Sequence, residues 1–247
     1  MIFIKDEKEI SIMRKGCNIL AQIMEELKKE VRPGITTDDL DKLAQELLFK
    51  FKVKPSFLDY GGFPNVLCTS INENIVHQVP SDYILKNGDI LSLDMGLIYE
   101  GYHADMAVTV PVGEVSDDIK VLLRITKKSL NIAIRKVRPG NTIGDIGNTI
   151  QRYVEKRGFN VVRELCGHGI GKDLHEDPEI LNYGKRQKGE VLRKGMTICI
   201  EPMVSMGEGK IKKGQDGFAF KTIDDSLSAH FEHTMLVTDN GCEVLTK

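Results

Sequence analysis

The stretch DILSLDMGLIYEGYHADMAVTV, residues 89–110, decides the fold because it predicts two buried strands facing each other across a tight reversal. Gly96 and Gly101 bracket that reversal. If the chain turns just before Gly101, Asp94 and Asp105 become near cross-strand neighbours. Two carboxylates so placed in an apolar setting repel each other unless one is protonated or a cation lies between them. The alternative, from this hairpin alone, is two unrelated polar residues at strand ends.

The same carboxylate pair recurs later in the chain, where Glu201 takes the place of Asp94 and Glu232 that of Asp105. A third repeat precedes both pairs and is followed each time by a threonine and a helical pattern. The repeated segments are KNGDILSLD (86–94) with RKGMTICIE (193–201), HAD (103–105) with HFE (230–232), and VRPG (31–34) with VRPG (137–140). Two copies indicate a duplicated half-domain and not a solenoid.

At 247 residues the chain could form one large domain or two small ones. The repeat, whose copies each supply carboxylates, favours a single domain, residues 1–247, with halves of roughly 1–112 and 113–247 and the site between them. Net charge is −2 with no basic block, so nucleic acid is not an evident partner. Five cysteines without a CysXXCys pair predict reduced thiols. Charges near the amino terminus, where a leader needs an apolar core, favour the cytoplasm. No apolar run approaches the roughly 20 residues that a membrane span requires.

Apolar residues three and four apart predict four amphipathic helices. The first helix covers 6–31, and the second begins at a cap formed by Thr36 or Thr37. The third covers 116–137, and the fourth is capped by Thr142 and runs up to Gly158. Each half therefore has two helices ahead of its strands. This order predicts an α+β fold, because a doubly wound sheet would need strict βαβ alternation.

The segment ELCGHGIGKDLHEDP, residues 164–178, predicts a loop that carries His168 and His175. Its three glycines remove side chains that would keep a ligand or substrate away. Taken alone, the loop could be a generic flexible turn. All six histidines of the chain nevertheless lie in or beside the strand and loop segments and none in the helices: 77, 103, 168, 175, 230 and 233.

Two aspartates, two glutamates and one histidine make an oxygen-rich set that suits two divalent transition ions with bridging carboxylates. A structural zinc site would instead use cysteine and need only four ligands. Five motifs resemble those of the type I methionine aminopeptidases. They occur in the same order and extend over essentially the whole chain. They are His77, Asp94 with Asp105, the GHGIG loop with His175, IEPM (200–203) and FEHT (231–234).

This resemblance implies the pita-bread (creatinase/aminopeptidase) fold, with two pseudo-symmetric halves around an antiparallel sheet and a dinuclear metal centre. It implies the metal ligands Asp94, Asp105, His168, Glu201 and Glu232, with Asp105 and Glu232 bridging. It also implies that the walls of the methionine pocket are Tyr60, Phe63, Cys68 and Phe218. Departures from the commoner pattern concern the shape of that pocket; they are Phe63 for tyrosine, Phe218 for tryptophan, Leu174 for phenylalanine and Gln78 for glycine.

The activity implied is removal of the initiator methionine from nascent proteins and peptides with a small second residue. In the family mechanism a metal-bound hydroxide attacks the scissile carbonyl, Glu201 shuttles the proton, His175 contacts the oxyanion and His77 the leaving amide. The ions could be Co, Mn, Fe or Zn, because availability decides among them. The resemblance further implies a cytoplasmic monomer acting on nascent polypeptide amino termini near the ribosome.

Three polar residues, Asn72, Asn74 and Ser228, are candidates for a monovalent cation site, the alternative being solvated turns. Two other functions compete with the aminopeptidase. A proline-specific peptidase of the same fold usually carries an additional amino-terminal domain. A metal-free scaffold of this fold typically loses ligands, whereas all five are present here.

Overall fold

The computed structural model describes residues 1–247, and its four helices begin where the sequence supplies caps. The helices are α1 (Glu7–Glu30), α2 (Thr37–Phe51), α3 (Asp117–Ile134) and α4 (Ile143–Glu155). At α1, Asp6 accepts from the amide of Glu9 and Glu9 accepts from the amide of Asp6, which forms a capping box. Thr36 caps α2 in the same way with Asp39. All four predicted helices are confirmed.

The predicted ends of α3 and α4 lie three residues too far along the chain. Val137 follows the end of α3 but is still buried, so the apolar pattern continues past the helix. Turn hydrogen bonds from the amides of Lys136 and Val137 close this end. The helical pattern therefore marks burial, and it does not distinguish the last turn of a helix from the packed turn after it.

Fifteen short strands form four antiparallel sheets. They are β1 (Lys54–Pro55), β2 (Cys68–Ile71), β3 (Asn74–Val76), β4 (Ile90–Tyr99), β5 (Tyr102–Pro111), β6 (Asn160–Val161), β7 (Cys166–Gly169), β8 (Glu176–Leu181), β9 (Thr197–Ile200), β10 (Met203–Ser205), β11 (Ile211–Lys213), β12 (Phe220–Thr222), β13 (Ser228–His230), β14 (His233–Val237) and β15 (Cys242–Val244). In one of the two larger sheets, β1, β2 and β5 each pair with β4. The other has the strand order β15-β14-β9-β7-β8. A 3-10 turn, Tyr60–Gly62, precedes β2.

The predicted hairpin is β4–β5, and its reversal lies at Glu100 and Gly101, both in the left-handed region. Gly96 does not bracket the turn as predicted, since it lies inside β4. A Cβ at Gly96 would come within 2.9 Å of the side chains of Phe57 and Ser56. The glycine is needed there because the segment after β1 packs directly on the strand.

The two larger sheets meet through β5 and the start of β14. The amide of Glu232 donates to the carbonyl of Ala107 at 2.9 Å, and the Thr234 hydroxyl donates to the carbonyl of Asp105 at 2.7 Å. Helix α1 packs on β4 and β5, whereas α3 packs on β9, β10 and β13. One apolar core runs from Ile10 to Leu245 through this arrangement. The predicted boundary between halves falls between β5 and α3. No helix combines the length and apolarity that a membrane span requires.

Candidate active site

Four carboxylates from the two larger sheets converge at their junction. In the β4–β5 ladder Asp105 pairs with Gly96, two residues from Asp94, so the two aspartates are diagonal neighbours on one face. Glu201 directly follows β9 and Glu232 directly precedes β14, each one residue beyond the last ladder pair. Two strand pairs, one from each half, thus present their acidic side chains to a common space.

No lysine or arginine lies within 4.0 Å of these carboxylates, and the basic side chains within that distance are His168 and His230. Three buried oxygens of these carboxylates have no hydrogen-bond partner: Asp94 Oδ1, Asp105 Oδ1 and Glu232 Oε1. Burial raises the pKa of Asp94 to about 6. Burial, and then the neighbouring Glu232, raise the pKa of Asp105 well above its usual range. Such a cluster holds its charge when cations lie between the carboxylates.

His168 completes this cluster from strand β7, so the prediction that a loop carries this histidine is wrong; the glycine-rich segment pairs with β8 and β9 there. Its Nδ1 lies 2.9 Å from the carbonyl of Gly169, which fixes Nδ1 as the donor and leaves the Nε2 lone pair free. Nε2 lies 3.7 Å from Glu201 Oε1, 3.9 Å from Asp105 Oδ2 and 4.0 Å from Glu232 Oε1. Burial, and then His175, lower the pKa of His168 to about 3, so the ring is neutral. A neutral imidazole with its second nitrogen held by a carbonyl suits a metal ligand.

The donor atoms form two groups, each within 4.8 Å, that could hold a metal ion. The groups are Asp94, Asp105 and Glu232, and His168, Cys199 and Glu232. Cys199 was not a predicted ligand, and its Sγ lies 3.4 Å from the Thr234 hydroxyl. Burial, and then Glu232, raise the pKa of this thiol well above its usual range, so it stays protonated. Glu201 is the better donor beside His168. These residues fit divalent ions, because the orphaned oxygens and the free Nε2 face one another.

A cavity of about 240 Å³ opens beside the carboxylates. All four predicted pocket residues line it: Tyr60, Phe63, Cys68 and Phe218. The Phe63 and Phe218 rings meet edge to face, with centroids 5.5 Å apart. Leu174 also lines the cavity, as its departure from the family pattern suggested. Gln78 does not, because its side-chain oxygen accepts from the amide of Ile71 at 2.9 Å.

The other two predicted histidines also line the cavity. Nδ1 of His175 lies 2.7 Å from the Tyr60 hydroxyl, and the His175 ring meets the His168 ring edge to face at 4.4 Å. His77 follows β3 in the left-handed region, with φ 61°. A residue other than glycine held there is strained, and such residues cluster at functional sites. Burial lowers the pKa of His77 to about 4, so its ring is neutral.

Sequence reasoning missed five residues at this site: Phe57, Gly61, Phe220 and Lys213 in the cavity wall, and His230 behind it. Phe220 reaches the wall because β12 pairs with β3, and strands of three residues have no detectable periodicity. His230 is buried, neither ring nitrogen has a partner, and Nε2 lies 3.4 Å from Glu201 Oε2. The repeat of His103 and His230 was the one available signal. His103 lies elsewhere, with Nδ1 2.8 Å from Ser56 Oγ.

The glycines of the loop serve packing, and the expectation that they clear space for a ligand is wrong. A Cβ at Gly167 would lie 2.3 Å from the carbonyl oxygen of Cys199, and one at Gly169 would lie 2.1 Å from that of Asp177. A Cβ at Gly171 would meet Glu176 at 2.4 Å. These three positions therefore need glycine, because backbone carbonyls of β8 and β9 and the side chain of Glu176 approach them closely.

The three candidates for a monovalent cation site do lie together. The Ser228 hydroxyl lies 3.3 Å from the carbonyl oxygen of Asn72 and 3.2 Å from that of Asn74. A monovalent cation there stays a prediction.

The chain is similar to known proteins over its whole length. The sequence profile of metallopeptidase family M24 matches residues 11–239. Methionine aminopeptidase 1 of Bacillus subtilis is 45% identical over 247 residues, 100% of each chain. The crystal structure of a methionine aminopeptidase from Thermotoga maritima superposes with a TM-score of 0.98 at 46% identity, covering 100% of both chains. A prolidase from Pyrococcus horikoshii gives a TM-score of 0.80 at 26% identity, and the match covers 99% of this chain but 63% of the prolidase.

Proposed function

This chain belongs to metallopeptidase family M24, and on that premise we propose that it removes the N-terminal methionine of peptides and proteins whose second residue is small. The observation that carries the proposal is the cluster of four carboxylates and His168 beside an apolar cavity. Full-length similarity to methionine aminopeptidases, and not only to the shared fold, supports this substrate over the X-Pro peptides of prolidases.

Membership of the family implies divalent metal ions, and we propose two. Their ligands would be Asp94, Asp105, His168, Glu201 and Glu232. Glu232 belongs to both donor groups and Asp105 lies near both Asp94 and His168, so these two carboxylates would help to hold either ion. Bound ions supply Lewis acidity that lowers the pKa of water and polarises a carbonyl. Co, Mn, Fe and Zn all suit such donors, and availability decides among them.

The side chains around the ions would manage the protons. Glu201 would take a proton from the attacking water as the C–O bond forms, and would deliver it to the leaving nitrogen as the C–N bond breaks. Glu201 lines the cavity, and an ionised carboxylate there can accept a proton and release it again. If Nδ1 of His175 accepts from the Tyr60 hydroxyl, its Nε2–H is free to donate to the developing oxyanion. Neutral His77 would contact the leaving amide.

Specificity would come from the cavity and from the histidines. Phe63, Cys68 and Phe218 offer an apolar surface compatible with the methionine sulfur, although such a pocket separates unbranched side chains only modestly. His77 and His175 would crowd the leaving side and favour a small second residue. Since initiator methionine arises during translation, the natural substrates would be nascent polypeptides near the ribosome. The enzyme would act there as a cytoplasmic monomer.

The test is methionine release from a peptide panel by the metal-loaded protein. We expect Met-Ala-Ser to be cleaved far faster than Met-Leu-Ser. N-acetyl-Met-Ala-Ser should resist, because an aminopeptidase needs the free amine. A Met-Pro dipeptide tests the prolidase alternative. Preferred cleavage of Met-Pro, or equal rates on the acetylated and free peptides, would exclude the proposed function.

A further inference from the structure

Lys5 and Glu176 form an ion pair that the mechanism above does not use. Nζ of Lys5 lies 2.5 Å from Glu176 Oε2, and the two side chains are 5% and 3% exposed. It is the one ion pair of a lysine or arginine in this chain with both side chains buried. Burying two charges is costly unless each finds good partners, so such a pair is weak support for stability as its purpose. Its position suggests a different role.

Glu176 closes the turn that presents His175. Its second oxygen, Oε1, accepts from the amide of Lys172 at 2.8 Å and from that of Asp173 at 3.4 Å. Glu176 is also the first residue of β8 and directly follows His175. One carboxylate therefore fixes the backbone on both sides of this histidine. Lys5 holds that carboxylate from the opposite side.

The glycine-rich loop is shaped around this pair. A Cβ at Gly171 would lie 2.4 Å from Glu176 Oε1, 2.5 Å from Lys5 Cε and 2.6 Å from Lys5 Nζ. Gly171 thus leaves room for the pair. The carbonyl of Gly171 accepts from the amide of His103 at 2.8 Å, which ties the same point to β5.

The segment 1–5 lies against the second half of the chain, whereas α1 packs on the first. The amide of Lys5 donates to the carbonyl of Gly195 at 2.9 Å, just before β9. The amino group of Met1 pairs with Asp177, two residues after His175. Asp6 then caps α1, which packs on β4 and β5, the strands of Asp94 and Asp105. The segment therefore connects the turn of His175 to the element that supports the aspartates.

We propose that Lys5 is a positioning residue for the hydrolysis: acting through Glu176, it holds His175 at the reacting carbonyl. This inference rests on the proposed function, in which His175 donates to the oxyanion. A preorganised donor loses much of its effect when misplaced, and a displacement of about 1 Å can cost about 100-fold in rate. Lys5 acts on the rate of the reaction through the turn and makes no contact with the metal ligands.

The test compares Lys5→Met with Lys5→Arg in the metal-loaded full-length enzyme on Met-Ala-Ser. Lys5→Met should lower kcat about 10- to 100-fold while KM and metal stoichiometry change little. Lys5→Arg keeps the charge and should recover most of the rate. In a His175→Ala background, Lys5→Met should have no further effect on kcat, because the two residues act as one unit. Arg14→Met is the control. Arg14 lies on α1 and pairs with Glu243 of the second half at 2.6 Å, away from the turn of His175, so its loss should leave kcat unchanged.

Since Lys5→Met leaves Glu176 buried without its partner, it could fail to fold. The double variant Lys5→Met/Glu176→Gln has no unpaired charge and should show the same loss of kcat. An equal loss of kcat with and without His175, a loss of bound metal, or full activity of folded Lys5→Met would overturn the inference. If wild-type protein did not cleave Met-Ala-Ser at all, the proposed function would fail instead, so the two failures are distinguishable.

Discussion

His168, in β7, and His175, just before β8, lie seven residues apart, but their hydrogen bonds assign them different chemistry. Nδ1 of His168 is committed to a backbone carbonyl, so Nε2 has a free lone pair among carboxylates. Nδ1 of His175 lies beside the hydroxyl of Tyr60, which can donate to it and make Nε2 a donor. Composition and spacing treat the two rings alike, and only the family resemblance gave them different roles. The difference lies in the partner of each Nδ1.

We therefore expect the two alanine variants to separate metal binding from rate. His168→Ala should bind nearer one ion than two when metal is limiting, because a ligand is lost. His175→Ala should keep its metal stoichiometry while kcat falls about 10²- to 10³-fold, the usual cost of removing one preorganised donor. Calorimetric metal titration and steady-state kinetics on Met-Ala-Ser check both variants. If His175→Ala lost an ion and His168→Ala kept both, the two roles would be exchanged.

Tyr60 provides a finer test of the same assignment. Tyr60→Phe keeps the aromatic wall of the cavity but removes the hydroxyl 2.7 Å from His175. Losing one orienting hydrogen bond, worth about 1 kcal/mol, should lower kcat about fivefold with a smaller change in KM. Tyr83→Phe is the control, because it removes a hydroxyl bonded to Asp89 at 3.1 Å outside the cavity. A larger effect on KM than on kcat would make Tyr60 a wall residue only.

Among the elements, those with local signals were predictable. Asp6, Thr36, Ser116 and Thr142 mark the starts of all four helices, because a cap is read from a few adjacent residues. The β4–β5 hairpin was predictable for the same reason. Strands β10 to β13 were not, since they have three residues each and all but β11 pair with distant segments. Phe57 and Phe220 were missed as residues of the cavity wall, because pairings of short strands with distant segments bring them there.

The strand packing around the loop gives a prediction at this scale. Gly169→Ala would place a Cβ 2.1 Å from the carbonyl oxygen of Asp177, which belongs to backbone and cannot swing away. We expect a loss of about 3 kcal/mol or more in the free energy of unfolding, since overpacking alone costs about 1–3 kcal/mol. Gly241→Ala is the control, with no atom within 4 Å of the added Cβ, and should change stability by about 0.5 kcal/mol at most. Urea denaturation measures both variants, and equal stabilities would contradict the packing role of Gly169.

For the molecule as a whole, the site lies where the two copies of the sequence repeat meet. Each half contributes two carboxylates from one strand pair, and hydrogen bonds between β5 and the start of β14 join the pairs. The predicted pita-bread fold is confirmed by the match to solved structures of the family. The repeat made this much predictable. It could not predict Lys5, which has no counterpart in the second copy and meets Glu176 only after folding.

The carboxylate cluster also couples metal binding to the stability of the whole chain. Without cations, Asp105 and Glu232 repel each other in a buried space with orphaned oxygens, whereas ions bound only by the folded state stabilise it. Ions at about 100 times their dissociation constant contribute about 2.7 kcal/mol, which raises Tm by roughly 5–10 °C for a chain of this length.

Thorough chelation should thus abolish methionine release and lower Tm together, and Co or Mn should restore both. In Asp105→Asn/Glu232→Gln, which lacks the proposed bridging carboxylates, Tm should no longer respond to metal. Calorimetry with and without chelator measures this, and full activity of verified metal-free protein would exclude the metal-dependent mechanism.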